Sequence, residues 1–280
     1  MKIQQQRCLL TGATGGIGKA IASQLSQAGY SLILQGRNRE KLQELLDKLV
    51  GEHEIIVADL IGSQSMENLC AQLSKRIDID LLINNAGTSS FGLFAQQTPA
   101  EISELMMVNL TRPMQLTQHL LPQIKGNKGM VINVGSVFGS IGFPCFTNYC
   151  ASKFGLKGFS EALARELKGE GVTIGYFSPR STATAINSDS VNEMNRALGN
   201  AVDHPSDVAK QLLTFIKQKQ RRKVVGWPEK IFARLNGLFP ELVDRALENK
   251  VNIIKSYLPP KNGNSDDKQP KLVNLNRQEQ

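Results

Sequence analysis

The feature that most constrains this chain is a glycine-rich turn set between two hydrophobic patterns of different period. Arg7–Leu10 reads as a short strand entering the turn, and residues 16–28 carry helical spacing, with Ile17, Ile21 and Leu25 on one stripe. Between them runs Thr11-Gly12-Ala13-Thr14-Gly15-Gly16-Ile17-Gly18. Glycine lets a backbone turn tightly and approach an anion with no Cβ in the way. The following helix start offers free N–H groups and the positive end of a dipole. Four glycines in this strand-to-helix position predict a pyrophosphate cradle rather than a merely structural turn.

The next two hundred residues repeat the alternation. Residues 31–34, 55–58, 81–83, 130–134 and 173–177 read as strands, and residues 41–50, 66–77, 102–124 and 148–168 as helices, with Pro113 placed to break or kink the third of these. Short apolar runs joined by amphipathic helices predict parallel strands with crossover connections. The expected fold class is therefore α/β: a doubly wound parallel sheet with helices on both faces and a C-terminal helical extension. Residues 1–225 are assigned to the catalytic domain, 226–258 to the amphipathic extension and 259–280, polar and rich in Pro, Asn and Gln, to a disordered tail.

Composition narrows the setting. No window approaches the ~18 consecutive apolar residues of a membrane span, and residues 1–7 are polar without a signal-like pattern, so a cytoplasmic protein is expected. Cys8, Cys70, Cys145 and Cys150 form no CxxC pair, and no metal site is expected. The net charge of +8 is unevenly spread: residues 1–204 hold 18 Lys+Arg against 17 Asp+Glu, and residues 205–280 hold 15 against 8. That total does not call for a nucleic-acid partner.

At the end of the second strand, residues 34–39 contain no acid but do contain Arg37 and Arg39. A carboxylate here would bind a ribose 2′-hydroxyl and repel a 2′-phosphate, whereas arginine pairs with the phosphate, and Lys19 adds to the same field. NADP(H) is accordingly expected over NAD(H).

The chemistry-bearing residues come next. Tyr149-Cys150-Ala151-Ser152-Lys153 stands near the start of a predicted helix, Ser136 lies thirteen residues earlier, and Asn84-Asn85-Ala86-Gly87 and Asn109 precede them. With the glycine loop, this set resembles the single-domain branch of the short-chain dehydrogenase/reductase family over about residues 5–210, which implies a Rossmann-type fold. The resemblance implies that Tyr149 is the catalytic acid/base, that Ser136 bonds the reacting oxygen, and that Lys153 also holds the nicotinamide ribose. It implies too that Asn109 interrupts its helix and holds a water of the proton relay. Physically, Tyr149 and Lys153 are four apart and share a helix face. Tyrosine at its ordinary pKa of ~10 is a poor shuttle near neutrality. The lysine cation and an oxidised nicotinamide are expected to favour the phenolate by about three units, ~4 kcal/mol.

Further cofactor contacts carry over by position: Thr11, Gly12, Thr14, Gly15, Gly16, Ile17 and Gly18 at the pyrophosphate, Asp59 and Leu60 at adenine, and Asn84, Ala86 and Gly87 at the riboses. Pro179, Thr182 and Thr184 fall on the carboxamide side. Arg180 replaces a usual glycine, either to bind an acidic substrate group or to face solvent. Residues 183–200 fall where a mobile lid is placed.

Beyond this, Ile231, Phe232, Leu235, Leu238 and Phe239 repeat at helical spacing, and Leu242, Val243, Ala246 and Leu247 follow Pro240. A basic run from Lys217 to Lys223 lies just upstream. Two readings stay open for this extension: docking on the core or a second subunit, and peripheral contact with a membrane surface. The resemblance implies a homodimer or homotetramer built on the long helices. The function expected is reduction of a small-molecule ketone or aldehyde, or oxidation of the matching alcohol, with an apolar substrate. The alternative is a non-catalytic NADP-binding redox-sensing regulator, which retention of Ser136, Tyr149 and Lys153 disfavours.

Overall fold

The structure, a computed structural model, describes residues 6–259. The expected tail from residue 260 onward lies outside them. Seven strands form one sheet in the order β3-β2-β1-β4-β5-β6-β7, with every pairing parallel. They are β1 (Arg7–Leu10), β2 (Ser31–Gly36), β3 (His53–Val57), β4 (Ile79–Asn84), β5 (Met130–Val134), β6 (Thr173–Ser178) and β7 (Arg222–Val224).

Alternation along each strand sends side chains to two cores. Cys8, Leu10, Leu32, Leu34 and Ile132 face the layer of α1 (Gly16–Gln27), α2 (Arg39–Leu46) and α8 (Pro205–Lys217), which supply Leu25, Leu42 and Phe215. Leu9, Ile33, Leu82 and Val131 face the layer of α3 (Ser63–Leu73) and α5 (Arg112–Gly126), with Leu69, Leu116 and Leu120. Both sheet faces are thus covered, which is why the strands read as continuous apolar runs.

Two local findings correct the sequence-based expectation, at Pro113 and in the basic run, while the interruption around Asn109 and the helix in the lid segment agree with it. The helix expected over 102–124 is divided into α4 (Pro99–Met106), a π turn (Met107–Thr111) and α5. Pro113 starts α5 rather than kinking it, because proline's missing N–H costs nothing in a first turn. The basic run at 217–223 does not flank an amphipathic helix as a free segment. Lys217 ends α8, Arg222 begins the edge strand β7, and Arg222 reaches Glu161 of α6 (Thr147–Glu166) at 3.6 Å. The segment expected as a lid forms α7 (Asp189–Ala197).

The extension consists of α9 (Trp227–Leu238), α10 (Pro240–Glu248) and α11 (Val251–Ser256). It docks on its own core: Val243 packs with Val137 and Ile141, and Ile254 with Phe146 and Met194. No helix among the described residues is long and apolar enough to cross a membrane.

Candidate active site

The strand order reverses between β1 and β4, so the loops leaving their carboxyl ends part and open a crevice. Thr11 ties the two loops together. Its buried hydroxyl accepts hydrogen bonds from the N–H groups of Asn85 and Ala86 at 3.0 Å each. Asn85 completes the tie by donating from Nδ2 to the carbonyls of Thr11 and Gly12 at 3.0 and 3.1 Å. Gly12 adopts φ +63°, and a Cβ there would sit 2.7 Å from Ala86 Cα. At Gly18 a Cβ would fall 2.2 Å from the Gly12 carbonyl oxygen, so glycine is what lets α1 approach the loop.

The start of α1 is bare. Gly15 caps it without a side-chain bond, no acid stands in the first turn, and Gly15 and Gly16 are exposed. Free N–H groups at a positive dipole end, with nothing to compete, fit an anionic pyrophosphate. Thr14 borders Gly36, Ile17 lines the cavity described below, and Thr184 lies over Gly16. Arg37, Arg39 and Asp59 are exposed around the end of β2 and β3, and Leu60 is buried. Asp59 folds back to accept from the Ile61 N–H at 3.0 Å.

A cavity of about 460 Å³ opens beside this crevice. Ser136, Tyr149 and Lys153 share its wall with Gly87, Pro179, Thr182 and Thr184. Ser136 follows β5 and caps a single 3-10 turn (Val137–Gly139), its hydroxyl accepting from Phe138 N–H at 3.2 Å. Tyr149 and Lys153 occupy consecutive turns of α6, and the Lys153 ammonium lies 5.7 Å from the Tyr149 ring centre. That ammonium donates to the Val134 carbonyl at 3.1 Å. Asn109 sits fully buried in the π turn. It accepts from Thr88 N–H and donates to Thr88 O, both at 2.8 Å, and donates to Ser152 Oγ at 3.1 Å. Ser152 in turn donates to the Tyr149 carbonyl at 2.8 Å. Asn109 Oδ1 and Lys153 Nζ both border Gly87, so the three approach one point.

The electrostatics differ from the sequence-based expectation. Burial pushes the Tyr149 phenol up to about 12, against a hydrogen bond from Ser136 that pulls it down. Burial also draws Lys153 down to about 8. Desolvation thus outweighs the Ser136 hydrogen bond, so the protein groups alone keep the phenol protonated.

Two further residues are reassigned. Asn84 turns away from the cavity and donates to Asn133 Oδ1 at 2.8 Å and Thr117 Oγ1 at 3.2 Å; its neighbour Asn85 lines the cavity instead. Arg180 neither faces solvent freely nor waits for an acidic substrate. It pairs with Asp203 at 2.7 Å and Glu229 at 3.5 Å, fastening the start of α9 to the loop after β6. Tyr176 was not foreseen: its hydroxyl lies 3.4 Å from the Ser136 N–H and from the Lys153 carbonyl. Gly135 and Gly139 are the sequence trace of it, since a Cβ at either would lie within 2.2 Å of that side chain.

The rest of the cavity is apolar. Phe138, Phe143 and Phe146 form an aromatic wall, with ring centres 4.7–6.0 Å apart. Val191 and Met194 of α7 and Phe232, Val243 and Leu247 of the extension close the other side. Among the described residues, no group of three or more metal-ligating side chains occurs.

A doubly wound sheet with a glycine cradle at its switch point, and Ser136, Tyr149 and Lys153 on an adjoining cavity, defines a dinucleotide-dependent oxidoreductase of C=O and CH–OH groups. The chain belongs to the short-chain dehydrogenase family, whose model matches residues 6–195. It is 34% identical over 216 residues to Nodulation protein G of a Rhizobium strain, covering 73% of this chain and 88% of that one. It is 32% identical over 231 residues to the 3-oxoacyl-acyl-carrier-protein reductase FabG of Rickettsia bellii, covering 79% and 92%. A short-chain dehydrogenase from Sphingobium yanoikuyae, solved in complex with NADPH, superposes with a TM-score of 0.72 at 25% identity, covering 85% and 95%.

Proposed function

We propose that this protein is an NADP(H)-dependent reductase of ketones or aldehydes with an apolar body. The observation that carries this is a single cavity holding Ser136, Tyr149 and Lys153 on one side and an aromatic and aliphatic wall on the other. The Sphingobium relative crystallised with NADPH, and relatives named as 3-oxoacyl reductases, support both the cofactor and the reductive direction.

When bound, the cofactor supplies the hydride. The N–H groups at the start of α1, with Thr14, Gly15, Gly16, Ile17 and Gly18, hold the pyrophosphate. Arg37 meets the 2′-phosphate, and Asp59 and Leu60 border adenine. Asn85, Ala86 and Gly87 back the riboses, with Asn84 bracing their loop from behind, while Pro179, Thr182 and Thr184 face the carboxamide. Tyr149 carries the transferable proton on its phenol oxygen. Burial holds the proton on the phenol and makes it a weaker acid, so Tyr149 gives that proton to the carbonyl oxygen only as negative charge develops there, with the Lys153 cation stabilising the phenolate left behind. Ser136 donates a hydrogen bond to the same oxygen. Lys153 holds ribose hydroxyls and keeps a positive charge beside Tyr149, and Asn109 orders the relay behind it. The exposed Met114 and Phe154, on the outer sides of α5 and α6, serve self-association into a homodimer or homotetramer.

NADPH consumption over a panel of apolar ketones tests the reading. Tyr149→Phe is expected to lower kcat by about 10²–10⁴-fold with NADPH binding retained. Arg37→Asp is expected to raise the KM for NADPH about 10–100-fold and to spare NADH. Turnover unaffected by Tyr149→Phe would refute the mechanism, and binding of NADPH without turnover of any carbonyl would favour the regulator.

A further inference from the structure

The first helix of the extension has two unlike faces. At about 100° per residue, Trp227, Lys230, Ile231, Arg234 and Leu238 fall within an arc of about 100°, and Glu229, Phe232 and Asn236 lie opposite. The inner three are engaged. Glu229 pairs with Arg180, Asn236 donates to the Ser140 carbonyl at 2.9 Å, and Phe232 lines the cavity. The outer arc is uncovered: Trp227 is 74% exposed and Leu238 72%. Phe239 and Leu242, at the corner into α10, extend the same apolar surface.

Charge distinguishes what this face fits. The one acid of α9, Glu229, is turned inward, so the outer arc of α9 sets large apolar side chains beside Lys230 and Arg234, and the acid of the adjoining corner is the exposed Glu241. The Lys230 ammonium sits 5.7 Å from the centre of the Trp227 ring, and its charge adds to the burial that lowers the pKa of Lys223 nearby. A second copy of the chain meeting this face across a two-fold axis would gather Lys230 and Arg234 of both copies, four cations, into one interface. A layer with anionic headgroups above an acyl interior accepts both features. The indole and aliphatic side chains enter the boundary, and the cations remain at the phosphates.

We propose that the outer face of α9, with the α9–α10 corner, docks on the surface of an anionic phospholipid bilayer. Phe232, on the other side of the same helix, lines the cavity while remaining 47% exposed, so the cavity mouth lies one helix width from the lipid and an apolar carbonyl compound can pass from membrane to active site. The docking stands by itself; the delivery of substrate rests on the reductase reading.

Trp227 is the only tryptophan of the chain, so its emission reports this face alone. The full-length protein is mixed with phosphatidylcholine vesicles with and without phosphatidylglycerol. The expected result is a blue shift with the anionic vesicles only, quenched by brominated acyl chains and weakened by salt. Lys230→Glu with Arg234→Glu is expected to weaken vesicle binding about thirtyfold or more, with turnover of a water-soluble ketone unchanged. Leu238→Gln, a single exposed change, provides a second variant with reduced binding. Emission unmoved by anionic vesicles would overturn the proposal. So would a blue shift that grows with protein concentration and ignores vesicles, which would place a second copy on this face. Vesicle binding without carbonyl turnover would remove the reductase reading and leave the docking intact.

Discussion

Lys153 is 5% exposed and has one protein acceptor, Val134 O, so its charge is held at a cost. Its folded value of about 8 lies below the ordinary 10.5. Between those values the unfolded chain binds a proton that the folded chain lacks, so this group's contribution makes the fold more stable as pH rises through that window. The charge penalty at pH 7 is on the order of 3 kcal/mol and vanishes above the upper value. Lys153→Met is therefore expected to compare best with the parent near pH 7 and to lose that ground by pH 10.5, while being inactive. Calorimetry of both proteins across the window checks it, and a difference independent of pH would count against a buried cation. Tyr149 and Lys153 were singled out by the resemblance, together with Ser136 and the glycine loop; their four-residue spacing added only that they share a helix face, and both line one cavity wall. The roles of Asn84 and Asn85 were not legible, because adjacent residues leave a strand in opposite directions and only the folded loop shows which one faces the cavity. Arg180 was misjudged for a related reason: its partners, Asp203 and Glu229, are 23 and 49 positions away.

At the scale of elements, long periodic helices were readable and short or irregular ones were not. The π turn through 107–111 has no periodicity of its own, being an extra residue absorbed within a helix, and it was anticipated only through the resemblance, which has Asn109 interrupt its helix. β7 has three residues, too few to display a period of two. α8 carries a clear stripe in Val208, Leu212, Phe215 and Ile216, but averaging charge over residues 205–280 conceals it. The join between elements supports a prediction. Arg180 connects the loop after β6 with the first turn of α9, and Gly226 at φ +94° is pressed against both Arg180 and Glu229. Arg180→Gly leaves two carboxylates without their cation. Thermal stability is expected to fall by about 1–3 kcal/mol, partly recovered by adding Asp203→Asn. With α9 loosened, the KM for bulky apolar ketones is expected to rise more than for small ones. Equal changes for both would reduce Arg180 to a role in stability.

Across the whole molecule, two layers of helix cover the sheet and the cavity lies above its carboxyl edge, an arrangement the alternation of strands and helices anticipated. What the alternation could not convey is the outer surface, where Met114 is 40% and Phe154 41% exposed on neighbouring long helices. On the self-association proposed through α5 and α6, Phe154→Glu places a charge in that contact and sedimentation is expected to show a shift toward monomer; an unchanged oligomer would locate the contact elsewhere. The position of the extension after the site residues in the chain has a temporal meaning as well. Ser136, Tyr149 and Lys153 leave the ribosome well before Val243 and Ile254, which pack onto Val137, Ile141 and Phe146. During synthesis the aromatic wall is therefore complete but uncovered, and exposed apolar surface is what makes nascent chains adhere to one another. The later-emerging α10 and α11 end that interval, so a chain halted near Val225 would be prone to aggregation with Ser136, Tyr149 and Lys153 already made.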